Sequence, residues 1–210
     1  ARLVGSACME QRDRSPVPPR ATRAYYCASI RDFLASNGDA VTSALFTASS
    51  FAVETTQKQA WLAQIRIMRE ALASASKDGL IAFEFAVPRM GKRIDVLVVH
   101  GAVVFVLEFK VGEREFTADA LRQVWDYALD LKNFHSTSHN AIVVPVLVAT
   151  GAMGSPMPSD LSHAPDGVMR PLCATVETLG ALLHEVSMHC DIEPIDAAEW
   201  IAGTYKPTPT

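Results

Sequence analysis

The chain has 210 residues, 49% of them hydrophobic and 20% charged, which is enough apolar mass for one sizeable core. A formal net charge of −4 excludes a protein that grips nucleic acid through overall positive charge, so any such contact is local or shared with another domain. Four widely spaced cysteines (Cys8, Cys27, Cys173, Cys190) without a CxxC pair exclude a zinc ribbon or disulfide framework and fit a reducing, cytoplasmic setting; no apolar run approaches the ~20 residues of a membrane helix.

Residues 1–22, rich in Pro and Arg, read as a mobile tail without the apolar stretch of a signal peptide. The runs "RAYYCASIRDFLAS" and "DAVTSALFTAS" predict two short helices separated by a stop at Asn37-Gly38. In the following segment Ala60, Trp61, Ile65, Met68 and Leu72 recur at helical spacing, and Gly79 is expected to close that helix. Three strand-like runs come next, at 80–87, 93–99 and 102–111, joined by links short enough for two successive hairpins. Leu121, Val124, Trp125, Ala128 and Leu129 then form a helical stripe within 117–134. The run "AIVVPVLVAT" has the continuous apolar character of a parallel strand covered on both faces, with Pro145 placing it at a strand start or a sheet edge. Residues 151–204 add a loop, a short strand near "VMRPLCATV" and two helices to the same domain, whose core spans about 52–150. The expected fold class is α/β, with the element order αβββαβ and a central mixed sheet flanked by helices.

The strand stretch "RIDVLVVHGAVVFVLEFK" sets Asp95, Glu108 and Lys110 among apolar neighbours. Burying charge without a partner is costly, so these groups are paired, hydrated or functional. A two-residue His100-Gly101 turn pairs Val99 with Ala102 and Asp95 with Val106. Glu108 then becomes the diagonal neighbour of Asp95 on the same face, at roughly 7–8 Å between Cα atoms. Two carboxylates so placed can converge on one hard cation, Mg²⁺ or Mn²⁺, for metal-assisted phosphodiester hydrolysis. Lys110 would stabilise developing charge or orient the attacking water. Glu84, between Phe83 and Phe85, is a further candidate ligand, and Arg89, Lys92 and Arg93 in the hairpin loop are candidate phosphate contacts. A [DE]-x-K triplet alone is common, and Asp130-Leu131-Lys132 is a second copy on a helix. Strand placement and the neighbouring Asp95 set the first copy apart.

Asp95, twelve residues, then "EFK" in an αβββαβ order resembles the PD-(D/E)XK nuclease superfamily, with a restriction-endonuclease-like core. Only the Asp of the "PD" half is present, preceded by Ile94. The resemblance implies Asp95 and Glu108 as metal ligands and Lys110 as catalytic cation. It adds Gln123, on the helix after the third strand, as a group contacting metal-bound water or substrate, with Tyr127, on the same helical face, as a candidate nucleic-acid contact. It also makes Glu54 a competitor of Glu84. A narrower resemblance, carried by "RAYYCASIRDFL", "VPRMGKRIDVL", "VLEFKVGE", "QVWDYALDLKNFH" and "PVLVAT", is to N-terminal nuclease-like domains of bacterial proteins with a Schlafen-type P-loop ATPase. It implies that residues 205–210 begin a linker to such an ATPase, with DNA as the expected substrate, and defence against phage or DNA repair as a setting. A nuclease-fold module that binds nucleic acid or a partner without cutting is the alternative. A homo-oligomer is compatible with the sequence.

The histidines of "HEVSMH" are five apart, so His184 and His189 do not share a helical face as a zinc HExxH requires. His135 and His139 flank "STS" and suit a loop or capping role, with His135 also a candidate substrate contact. Trp61 and Trp125 are expected in the core.

Overall fold

The computed structural model describes residues 23–49, 54–154, 161, 165–190 and 193–206; the expected tail at 1–22 and the last four linker positions lie outside these residues. The elements are β1 (Tyr26–Ser29), α1 (Ile30–Ala35), α2 (Gly38–Ala48), α3 (Thr55–Leu72), β2 (Leu80–Val87), β3 (Lys92–His100), β4 (Val103–Lys110), α4 (Ala118–Phe134), β5 (Ile142–Ala149), β6 (Leu172–Ala174), α5 (Leu179–His189) and α6 (Ala197–Ile201). Among the described residues six strands form one sheet in the order β1-β2-β3-β4-β5-β6. β1–β2, β2–β3 and β3–β4 pair antiparallel, and β4–β5 and β5–β6 are parallel. The fold is therefore α/β with a mixed sheet. Its central elements α3, β2, β3, β4, α4 and β5 follow one another as αβββαβ.

Each face of the sheet has its own apolar layer. Phe83, Val96, Phe105 and Val146 pack against Trp61, Ile65 and Met68 of α3 and Leu182 of α5. On the other face Leu97, Val106 and Leu147 pack against Val124, Tyr127 and Ala128 of α4 and Trp200 of α6. Each fully buried side chain of this size contributes roughly 1.5–3 kcal/mol. No helix among the described residues is long and apolar enough to cross a membrane.

Five features of the fold depart from the sequence reading, each for a local reason. The first predicted helix opens as strand β1, because Ser29 is the N-cap: its Oγ accepts the Asp32 N–H at 3.0 Å, and helix cannot extend upstream of a cap. The preceding "YCAS" pairs instead with β2, where Tyr26 meets Phe83 edge-on. α3 ends at Leu72, short of Gly79. Gly79 instead has φ +121 ahead of β2, where a Cβ would lie 2.2 Å from the Val99 carbonyl oxygen.

Pro145 lies inside β5, which is paired on both sides. Val143 bonds outward to Gly167 and Met169, and residues two apart point the same way. The missing Pro145 N–H therefore faces the interval before β6 begins at Leu172. Trp125 is 41% exposed, because the buried stripe of α4 runs through Ala120, Val124, Tyr127, Ala128 and Leu131, one position away. The chain also stays docked beyond the expected boundary at residue 204: Tyr205 bridges to His135, and the Lys206 N–H donates to the Phe134 carbonyl at 2.8 Å.

The close approach at Gly79 yields a test of this packing. Gly79→Ala adds a methyl group against the Val99 backbone and a disfavoured φ, and is expected to cost about 2–4 kcal/mol in urea unfolding. A loss below 0.5 kcal/mol would contradict the described contact.

Candidate functional site

The β3–β4 hairpin turns at Gly101-Ala102, since His100 pairs with Val103 and Val99 with Val104. Gly101 takes φ +58, which a left-handed first turn position requires. The expected His100-Gly101 turn is thus displaced by one residue along the chain, and every pair shifts by two. Because the shift is even, faces are preserved. Continuing the observed Val96–Leu107 pairing by one step sets Asp95 directly opposite Glu108 instead of diagonal to it. The ladder itself stops at Val96, and the Phe109 N–H donates to Asp95 Oδ2 at 2.8 Å.

Glu108 projects from β4 under α4 and is only 5% exposed. Its Oε1 accepts from Lys110 Nζ at 2.8 Å and from Gln123 Nε2 at 2.9 Å. Lys110 Nζ also donates to Gln123 Oε1 at 3.2 Å, and Gln123 Nε2 reaches the Tyr127 hydroxyl at 3.0 Å. Glu108 Oε2 is buried without a hydrogen-bond partner. Asp95 lies beside it, the residue reaching solvent in part while its carboxyl group is enclosed.

The electrostatics follow from that crowding. Burial, then the Glu108 charge, hold the Asp95 carboxyl well above the usual carboxylate range, against the Phe109 N–H and Lys110. Burial also raises Glu108, opposed by Lys110, Lys92 and Gln123. Burial raises Glu84, with Trp61 and Arg93 opposing and Glu108 reinforcing.

The structure brings Asp95, Glu108, Lys110, Gln123 and Tyr127 together. Glu84 is electrostatically close to Asp95 and Glu108, yet its Oε1 accepts from Trp61 Nε1 at 2.7 Å and Gln57 Nε2 at 3.0 Å. Glu54 is an exposed N-cap of α3. Of the basic loop, Lys92 is exposed and acts on Glu108. Arg93 is engaged by the Arg23 and Glu84 carbonyls and lies 3.9 Å from the Tyr25 ring centroid. Arg89 lies over the Phe134 ring at 3.6 Å and 3.6 Å from Asp130, with half its side chain in solvent.

His135 cannot meet a substrate as placed. It is fully buried between Phe85, Trp200 and Tyr205, and burial lowers its pKa to about 4. An apolar wall forms there because α6 and Tyr205 close over the end of α4. Sequence reasoning missed Trp61 and Gln57 as holders of Glu84. Their four-residue spacing shows a shared helical face, but not that a strand carboxylate lies against it.

Among the described residues no group of three or more His, Cys, Asp or Glu side chains is placed to hold a metal ion. An ion here would rest on Asp95 and Glu108, and the unpartnered, buried Oε2 of Glu108 is suited to that contact. Mg²⁺ is commonly held by one or two carboxylates, with waters and substrate phosphate completing its shell. Comparison with known proteins finds no matching family model, no matching curated protein and no matching solved structure.

The raised carboxyl groups carry a signed consequence for stability. Between the ordinary carboxyl range near pH 4 and the higher folded value, the folded chain holds more protons than the unfolded one, so stability falls as pH rises. Asp95→Asn keeps an acceptor for Phe109 and removes the charge. It is expected to stabilise the chain in chelator at pH 8 by on the order of 1 kcal/mol, with the gain shrinking toward pH 4. Urea unfolding at both pH values checks this; a variant less stable than wild type at pH 8 contradicts it.

Proposed function

We propose that this chain is a metal-dependent nuclease domain of the PD-(D/E)XK type, with the restriction-endonuclease-like core that the αβββαβ order suggests. The observation that carries the reading is the Glu108 carboxylate. It is buried, tied through one oxygen to Lys110 and Gln123, unpartnered at the other, and adjoins Asp95. A structural ion pair would satisfy both oxygens; a half-satisfied buried carboxylate beside a second carboxylate is an arrangement for a ligand.

Asp95 and Glu108 are the residues that would hold Mg²⁺ or Mn²⁺. When bound, such an ion supplies polarisation of a phosphoryl oxygen and a more acidic water. Gln123 clamps both Glu108 and Lys110, fixing the ammonium beside the carboxylates. Lys110 places its positive charge where the phosphate accumulates negative charge during displacement. Tyr127, buried against the sheet, positions the Gln123 amide through its hydroxyl. Lys92 stands exposed at the start of β3 and favours approach of a phosphate backbone. DNA is the substrate we assign first, and the sequence resemblance extends the proposal to a partnership with a P-loop ATPase.

The test is cleavage of labelled plasmid, linear duplex, single-stranded DNA and RNA in Mg²⁺ or Mn²⁺, with chelator as control. Metal-dependent cutting is expected, with Lys110→Ala lowering kcat about 10²–10³-fold and Asp95→Asn at least as much. Cutting that survives both substitutions would place the active site elsewhere. Binding without cutting on every substrate would support a non-catalytic nuclease-fold module.

A further inference from the structure

Glu84 is the one non-glycine residue with positive φ among the described residues, at φ +54 in the middle of a strand. An L-residue with a side chain disfavours that region, and such outliers persist only where the surroundings enforce them. Glu84 faces Asp95 across the β2–β3 ladder: Phe83 pairs with Val96 and Phe85 with Ile94, while the pair between them is missing.

At this step both strands change face. Ile81 and Phe83 lie in the layer with α3, but Phe85 and Val87 lie in the layer with α4. On the partner strand Val96 and Val98 lie in the α3 layer and Ile94 in the α4 layer. Side chains two apart in a regular strand share a face, so the chain has been rotated at Glu84 and at Asp95 together. Asp95, freed from the ladder, is left to take the Phe109 N–H beside Glu108.

Contacts on both sides hold the rotated backbone. The Glu84 carbonyl accepts from the Arg93 guanidinium, and residues to either side bond outward through Tyr25 N–H to the Phe83 carbonyl and Ala86 N–H to the Arg23 carbonyl. Its carboxylate is drawn onto α3, where Oε1 accepts from Trp61 Nε1 and Gln57 Nε2.

We propose that Glu84 is a positioning residue, whose left-handed backbone turns Asp95 out of the ladder and toward Glu108, with α3 holding that turn through Trp61 and Gln57. This rests on the nuclease reading for its purpose, but its geometry is tested independently of metal or substrate. Glu84→Gly and Glu84→Val both remove the carboxylate and its contacts with α3. They differ in that glycine accepts φ +54 and a β-branched residue resists it.

The first readout is hydrogen exchange of the Phe109 amide by NMR, since that N–H is held by Asp95. Exchange is expected at least tenfold faster in Glu84→Val and within about threefold of wild type in Glu84→Gly. The second readout is Mn²⁺ affinity by calorimetry without substrate, expected to follow the same order, with Asp95→Asn as the control for a lost ligand. Where the valine variant does not fold, Glu84→Ala replaces it, with exchange expected at least threefold faster than in Glu84→Gly measured alongside. Unchanged Phe109 exchange in the valine or alanine variant overturns the proposal. So does a folded glycine variant that binds Mn²⁺ as weakly as Asp95→Asn, because the carboxylate would then be used directly. Wild-type protein that binds no Mn²⁺ and cuts nothing, with Phe109 exchange as expected, would overturn the nuclease reading and leave the positioning of Asp95 standing.

Discussion

The Glu108 carboxylate is the constraint on which the surrounding structure depends. It sits beneath α4, where an ionised group without partners would cost several kcal/mol, and only one of its oxygens is satisfied by the chain. Lys110, two residues along the same strand, reaches back to it, and Gln123 reaches down from α4 to both. That small network fixes how α4 lies over the sheet at this end, since Val124 and Tyr127 on the same helix must seat in the apolar layer at the same time. The position of α4 and the state of Glu108 are therefore one problem with one solution.

The second carboxylate makes the arrangement more expensive. The Glu108 charge adds to burial in raising the cost of ionising Asp95, and Glu84 adds a third negative group nearby. A fold selected only for stability would replace such groups with apolar side chains of similar volume, which is often neutral or stabilising. The chain instead gives up ladder pairing at Asp95 and accepts a strained backbone at Glu84 in the same short stretch. Stability sacrificed in one place, beside solvent-accessible Lys92, is what the proposed nuclease site would require.

Much of this was legible in the sequence, for physical reasons that also mark where legibility ends. The three central strands and α4 stand out because their apolar runs and stripe are long and uninterrupted. The face shared by Asp95 and Glu108 follows from the period of two, which survives a displaced turn. The register does not, because glycine fits either turn position, and only tertiary pairing selects Gly101-Ala102 over His100-Gly101. β1 is four residues at an edge, with no pattern of its own; the Ser29 cap and the facing strand define it. Glu84 is the clearest limit. Alternation between Phe83 and Phe85 implies a common face for both phenylalanines, and the left-handed turn that separates them leaves no trace in residue type. His135 likewise has the composition of a loop residue, and it is the distant Trp200 and Tyr205 that bury it.

The central claim is that Asp95 and the free oxygen of Glu108 form a cation site. The most direct measurement is an anomalous difference map from crystals of the wild-type chain soaked in Mn²⁺. A single strong peak bonded to Glu108 Oε2 and to Asp95, absent from Asp95→Asn crystals, is the predicted result. A map with no peak there, or with the ion bound to a different set of side chains, would contradict the account.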